Sequence, residues 1–426
     1  MRNTYTLIKG KLFHFISILF ISLFIINSPK INGQEVTNDS LEIEETTTKD
    51  KRIKIIWLPV LASNPANGLM LGVAPSSNWL MGPEETTSYS SALGSVIYTT
   101  KNQFLFTLKG SVFFKDNKSI LMQDIRYFKT SQPTFGLGTG PQTAKLSTNG
   151  FEYEDENYSD GIDETQMMKF NFLRIHETFF KRVNKKGLYA GVGYHLDIHS
   201  KIDDQLLDLD TLPPAITSHY AYSVKNGFNP EKYTLSGISG NLLYDTRDNT
   251  VSPQSGEYGL VTLKHNPKWL GSDKSSTTLW AEYRDYFTVN KERPRNLIAL
   301  WMYGYFQLGG HLPYMDLPAL GWDQFGRSGR GYPQGRFRGE SLVYSEVEWR
   351  FPLQKNKNKW GAVVFLNANS ATNNDADINM LKYINTGFGA GLRFMVNEKS
   401  RTNICLDYGF GNYGAHGFYL SVNEVF

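Results

Sequence analysis

The sequence predicts an all-β fold, a transmembrane antiparallel β-barrel of 16 strands of the bacterial outer-membrane type. Three observations point there. From about Ile53 onward, segment after segment alternates apolar and polar residues with period two, the pattern of strands with one apolar and one polar face. Many of these segments run ten or more residues, the length a tilted membrane strand needs and longer than an ordinary globular strand. The chain is also polar yet rich in rings: mean hydropathy is −0.37, and its 426 residues include 24 Tyr, 27 Phe and 8 Trp at a net charge of only +3.

At the N-terminus, Arg2, Lys9 and Lys11 precede an apolar run from Leu12 to Ile26, and Gly33 stands before Gln34. That is the layout of a secretory signal peptide over residues 1–33, with a run too short for a membrane-spanning helix. Residues 34–52 are polar and charged and read as a disordered periplasmic linker. Residues 53–67, including "IKIIWLPVL", read as a periplasmic or plug segment, and 68–426 as the barrel. No later stretch approaches 18 consecutive apolar residues, and the single cysteine, Cys405, has no intrachain partner.

Strands are expected near 68–80, 88–99, 103–114, 119–129, 134–141, 166–181, 187–199, 232–245, 256–266, 276–290, 295–309, 341–353, 360–370, 385–396, 401–411 and 416–426. In "SLVYSEVEWRFPL", Val343, Val347, Trp349, Phe351 and Leu353 share the lipid-suited face, and Tyr344, Glu346, Glu348 and Arg350 the water-suited one. With strands alternating in direction, the long connections 142–165, 200–231, 310–340 and 371–384 fall on one side, expected to be external, and both chain ends on the periplasmic side. Location in the outer membrane of a Gram-negative cell, among its lipids, follows from this reading. The inner connections "KRVNKKG", "KERPR", "KNKNK" and "NEKSR" are basic, as suits solvated turns.

Several short motifs occur in a fixed order. "YDTRDNTVSPQSG" joins two strands, and its Asp245, Arg247, Asp248 and Gly256 suit a hydrogen-bonded turn. The loop "GRSGRGYPQGRFRGE" packs four arginines and five glycines into 15 residues. Its glycines let the chain double back in a confined space, and an arginine carried inside needs carboxylates to offset lost hydration. Glu346 and Glu348, on the inward face of the strand that leaves the loop, are the nearest in sequence. "FLNAN", "GFGAGLRF", "LDYGFG" and the terminal Phe426 follow.

With these motifs the chain resembles the bacterial surface antigen superfamily, the outer-membrane assembly and translocation barrels of the BamA and TamA type. The resemblance covers roughly 60–426 and is strongest from 240 onward. It implies a sixteen-stranded barrel whose sixth external loop folds into the lumen, with Arg330, Gly331 and Tyr332 as the tip placed against the wall. It implies a terminal Phe426 as C-terminal barrel signal, and a working seam between the first and last strands, here 68–80 and 416–426. In the family the arginine also meets an acid in a Phe-x-Asp-x-Gly pattern. Here Asn367 stands in the place of the acid and Asn369 in that of the glycine, which leaves Glu346 and Glu348 as the expected wall partners beside Asn367. Between Gln34 and Gly68 there is too little chain for the periplasmic POTRA domains of substrate-handling relatives, so a member without them is expected.

The function implied is outer-membrane protein or lipid assembly or translocation, with periplasmic or outer-membrane protein partners in place of POTRA domains. A passive channel, in which the loop arginines set an anion-selective field, is the alternative. A scaffold barrel, or a homodimer, is the third reading. No enzyme is expected: His195, Asp197 and His199 share one face, but successive side chains there stand about 7 Å apart, wide for one ion, and read as lumen lining. No metal, cofactor or nucleic-acid partner is expected.

Overall fold

In a computed structural model of the chain, the described residues are 55–64, 68–141, 143, 146, 151–290, 292–293, 295–355 and 359–426. The expected signal peptide 1–33 and linker 34–52 lie outside them. The strands are β1 (Ile55–Asn64), β2 (Gly68–Trp79), β3 (Ser90–Thr99), β4 (Phe104–Phe113), β5 (Ser119–Thr134), β6 (Phe151–Glu154), β7 (Asn157–Ser159), β8 (Gln166–Arg182) and β9 (Leu188–Asp204). A short helix, α1 (Ser218–Lys225), precedes β10 (Lys232–Asp245), β11 (Gly256–Asn266), β12 (Ser276–Thr288), β13 (Leu297–Gly310), β14 (Ser341–Pro352), β15 (Trp360–Ala371), β16 (Asn385–Asn397), β17 (Thr402–Gly411) and β18 (His416–Val422).

All but β6 and β7 form one 16-stranded antiparallel sheet in which every strand pairs with its sequence neighbours, while β6 and β7 make a separate hairpin. The two end strands of the sheet are β1 and β18, and no backbone ladder joins them among the described residues. The sheet nevertheless curls far enough for its distant parts to touch. Asn78 on β2 donates to Thr402 Oγ1 on β17 (2.8 Å), and Arg401 reaches Asp248 in the β10–β11 turn (2.6 Å). Among the described residues no helix is long and apolar enough to cross a membrane.

Two boundaries differ from the sequence expectation. Of the expected periplasmic or plug segment 53–67, residues 55–64 form a strand of the sheet: β1 pairs with β2 from Ile55↔Ser77 to Asn64↔Gly68. Pro59 has no N–H to donate, and a proline is tolerated there because β1 lies at the sheet's edge. Residues 134–141 are not a strand of their own. β5 runs on to Thr134, and then Gly136, Gly138 and Gly140 take φ of 84°, 83° and 129°, conformations that end a ladder. The two changes cancel, so the strand number and the side on which the long connections emerge are as expected. The end strands of the sheet are β1 and β18, so its first edge is at 55–64 and not at the expected 68–80.

One face of the sheet is apolar and exposed, with Leu71, Val96, Leu242, Val347, Leu366 and Leu420 among its members. The other carries the buried charges and a core of aromatic residues, including Tyr286, Trp301, Tyr303, Tyr332, Phe337, Tyr344 and Phe426. The 311–340 connection packs on this second face.

Candidate functional site

The 311–340 connection is fastened by its own polar side chains before it meets the wall. Asp323 accepts from the amides of Arg327 (3.1 Å) and Ser328 (2.9 Å), closing a small loop. Arg338 donates to the carbonyls of Tyr314 (3.0 Å) and Met315 (2.7 Å), drawing the two limbs together. Arg126 on β5 donates to the carbonyls of Asp323 (3.1 Å) and Gln324 (2.9 Å). At the other side of the loop, Arg327 donates to the carbonyls of Val422 (2.6 Å) and Glu424.

Arg330 is the centre of the arrangement. It is 2% exposed, and its guanidinium donates to Glu346 (2.5 Å), to Glu348 and to Asp407 on β17 (2.6 Å). Its guanidinium carbon lies 3.7 Å from the ring centroid of Phe365, a cation–π contact that covers the flat face. Burial works against the charge, but the three carboxylates outweigh it and hold the guanidinium above its ordinary range.

The carboxylates are themselves shared. Arg350 donates to Glu348 (2.6 Å), and Arg393 donates to Asp407 and to Glu424 (2.7 Å). Arg350 and Glu424 approach to 3.9 Å. The result is a circuit from Arg330 through Asp407, Arg393, Glu424, Arg350 and Glu348 back to Arg330, with Glu346 attached and capped by the Tyr344 hydroxyl (2.5 Å). A buried charge is tolerated when paired and hydrogen-bonded, and here each is.

The backbone of the tip docks as closely as its side chain. Gly331 has φ of 106° and donates its amide to the Tyr419 hydroxyl (2.9 Å). Tyr332 donates to the carbonyl of Thr386, and its own carbonyl accepts from Tyr419 (3.0 Å). Opposite them, the inward positions of β16 and β17 include Gly387, Gly409 and Gly411. A Cβ on Gly387 would stand 2.9 Å from the Arg330 carbonyl oxygen, and one on Gly411 would press into the Tyr332 ring. The glycines of "GFGAGLRF" and "LDYGFG" therefore leave a bare patch of wall on which 330–332 rest.

The expected partners Glu346, Glu348 and Asn367 all reach Arg330, but not in one role. The two glutamates hold the guanidinium, whereas Asn367 donates to the Arg330 carbonyl (2.9 Å). The acid missing at Asn367 is supplied by Asp407, in Asp407-Tyr408-Gly409, two strands further along the sheet. Sequence reasoning missed Asp407, Arg393 and Tyr419. The signal for the first was present, since Asp407 alternates in step with the inward glycines 409 and 411.

Phe426 departs from expectation. The strand at 416–426 stops at Val422, Asn423 takes φ of 68°, and Glu424, Val425 and Phe426 turn inward and are buried. Phe426 packs against Trp301 (centroids 5.3 Å apart) and its main-chain oxygen accepts from Arg350 (3.0 Å). The same turn buries Glu424, which accepts from Arg393 (2.7 Å) and Asn403 (2.8 Å).

The β10–β11 turn is built as its composition suggests. Arg247 donates to both oxygens of Asp245 (2.9 and 2.7 Å), and Asp248 accepts from the amides of Gln254 (2.9 Å) and Ser255 (3.2 Å). Gly256 has φ of 92°, and a Cβ there would meet the Thr246 carbonyl oxygen at 2.3 Å. Elsewhere, Asp197 is engaged by Arg174 (2.6 Å) and His176 (2.8 Å), while His195 pairs with Ser239 (2.8 Å). His195, Asp197 and His199 do not converge.

Long antiparallel strands with an apolar exposed face and an arginine-pinned loop on the polar face define an outer-membrane β-barrel class of fold. The chain belongs to the Omp85 superfamily, whose domain it matches over residues 88–426. Among solved structures it is similar to BamA from Haemophilus ducreyi lacking POTRA domains 1–3, at 14% identity and a TM-score of 0.51, covering 87% of this chain and 69% of that one. Wzi of Escherichia coli, a carbohydrate-binding β-barrel involved in group 1 capsule assembly, aligns at 8% identity over 86% of this chain and 80% of that one, with a TM-score of 0.28. No curated protein matches the chain.

Proposed function

We propose that the protein is a non-enzymatic outer-membrane barrel that takes part in the insertion or translocation of protein or lipid, with its 311–340 loop held inside the lumen as a fixed plug. The observation that carries this reading is the burial of Arg330 among Glu346, Glu348 and Asp407. A loop that only set a pore's field would keep its arginines hydrated, whereas this one spends its central charge on the wall. The work is assigned to the edges of β1 and β18, which share no ladder among the described residues, and cargo is delivered by partner proteins.

Against a passive channel stands the packing of the long connections at one end of the sheet. Gly138 donates to the Arg338 carbonyl (2.6 Å), Thr139 to that of Ala371 (3.0 Å), and the Tyr222 hydroxyl to that of Leu312 (3.1 Å). Three long connections and the end of β15 are thus tied to one another at that end of the sheet. Depletion of the protein in its host is the deciding experiment: the proposal expects other barrels or lipids to be lost from the outer membrane. A normal outer membrane after depletion, together with a steady open conductance of the purified protein in a bilayer, would establish the channel instead. A normal membrane with silent bilayers and a stable copurified complex would establish a scaffold.

A further inference from the structure

On β5 and β8 the exposed face carries four consecutive outward pairs, Leu121↔Phe179, Gln123↔Glu177, Ile125↔Ile175 and Tyr127↔Leu173, between polar pairs Ser119↔Lys181 and Lys129↔Asn171. The alternate positions, Asp124, Arg126, Arg174 and His176, turn to the other face and join its ion pairs. Glu177 therefore stands on the outward face, inside the apolar band, with an apolar pair on either side. Its contact is a hydrogen bond from Gln123 Nε2 (3.2 Å), which does not neutralise it. Tyr194, opposite Glu177 on β9, turns its hydroxyl to Ser236 (3.0 Å). Among the described residues no cation lies within ion-pair distance of this carboxylate.

An ionisable group facing lipid is costly and calls for a partner. Acyl chains offer neither a donor nor a charge. A second copy does not supply one either: a two-fold axis along the membrane normal brings like depths together, so Glu177 would meet Gln123 or Glu177 while Lys129 and Lys181 stay outside the band. Beside Gln123 the same row continues through Gly110 and Ala92, small residues that let another backbone approach.

We propose that this outward row is a docking surface for another outer-membrane protein, one whose lipid-facing strand presents a lysine or arginine to Glu177. The proposal rests on the membrane-embedded reading above and goes beyond it by naming the surface and the charge of its partner.

The test uses the full chain in its own outer membrane, with a benzophenone amino acid in place of Leu121 and, as control, of Val347 on the far outward face. The expected result is an adduct at 121 but not at 347, whose sequenced partner peptide carries an outward Lys or Arg close to the attachment point. That adduct should fall about tenfold or more in Glu177→Lys and in Glu177→Gln, with the folded, heat-modifiable band retained. An adduct of twice the chain's mass, an adduct indifferent to both substitutions, or none above the control overturns the docking surface. A cysteine replacing Ile125, probed with a membrane-impermeant maleimide, separates the two readings. Labelling overturns the membrane placement and the proposal together, whereas protection without an adduct overturns the docking surface alone.

Discussion

A Cβ on Gly409 would meet the amide nitrogen of Gly331 at 2.7 Å. The same Cβ would stand 3.0 Å from the carbonyl carbon of Arg330. The neighbours are backbone atoms of a loop already tied down on both flanks, so they cannot swing aside as a flexible side chain would. Gly409→Val should lift the loop tip off β17 while leaving the strands in place. Trypsin reports this directly: the arginines of the 326–340 stretch should resist cleavage in the folded wild type and become cleavable in the variant. Gly240→Val, where no heavy atom lies within 4 Å of the added Cβ, should leave the resistance unchanged.

The charge circuit makes Arg330 costly to remove. Arg330→Ala strands Glu346, Glu348 and Asp407 with fewer cations than before, a loss of about 3–5 kcal/mol by the usual cost of breaking a buried pair. Arg330→Lys should recover only part of it, because one ammonium cannot bridge three carboxylates in the fork geometry. Urea titration of the folded band would measure both. Arg330→Met combined with Glu346→Gln and Glu348→Gln should lie closer to wild type than Arg330→Ala alone, since it removes charges of both signs.

Asn367→Asp places an acid where the family pattern has one, and it should destabilise this protein. The Asn367 amide donates to the Arg330 carbonyl (2.9 Å). An aspartate would face that oxygen as a second acceptor and add a carboxylate to a circuit already served by Asp407. A loss of about 1–3 kcal/mol is expected, the cost of an unsatisfied buried polar pair. Asn367→Asp with Asp407→Asn tests whether the acid can be moved across the wall. If Asp407 alone is the fitting position, the double variant should be no better than the single one.

How much of this was legible depends on where the signal sits along the chain. A strand such as 341–353 announces itself because its apolar and polar side chains strictly alternate, and Glu346 and Glu348 could be paired with Arg330 because they follow it closely. The run 53–61 also suits a strand, but sixteen strands already put the long connections on one side once 134–141 is counted among them, so β1 emerges only when that segment is seen not to be a strand. The 134–141 segment misled because Phe135 and Leu137 alternate with glycines that do not adopt strand geometry. Asp407 lies 77 residues from Arg330, and only the register of four strands brings the two together. The bare wall at Gly387, Gly409 and Gly411 was visible as a motif, but its purpose is defined by what rests on it.

The buried C-terminus carries the last prediction. Phe426 is 3% exposed, with Trp301, Tyr286 and the Arg350 guanidinium around its ring. Were it a lipid-facing residue at the end of a strand, truncating it would cost little once the barrel had formed. In its inward position Phe426→Ala leaves a cavity among aromatic side chains and should cost about 3–5 kcal/mol. The neighbouring Glu424 sharpens the test, since the same turn carries it to Arg393 and Asn403. Glu424→Gln should weaken the circuit through Arg393 without disturbing the ring packing. A hexahistidine extension after Phe426 should reduce the folded fraction, whereas the same tag placed ahead of residue 53 should not. Equal folding yields for the two tagged forms would show that the last residues lie outside the barrel interior.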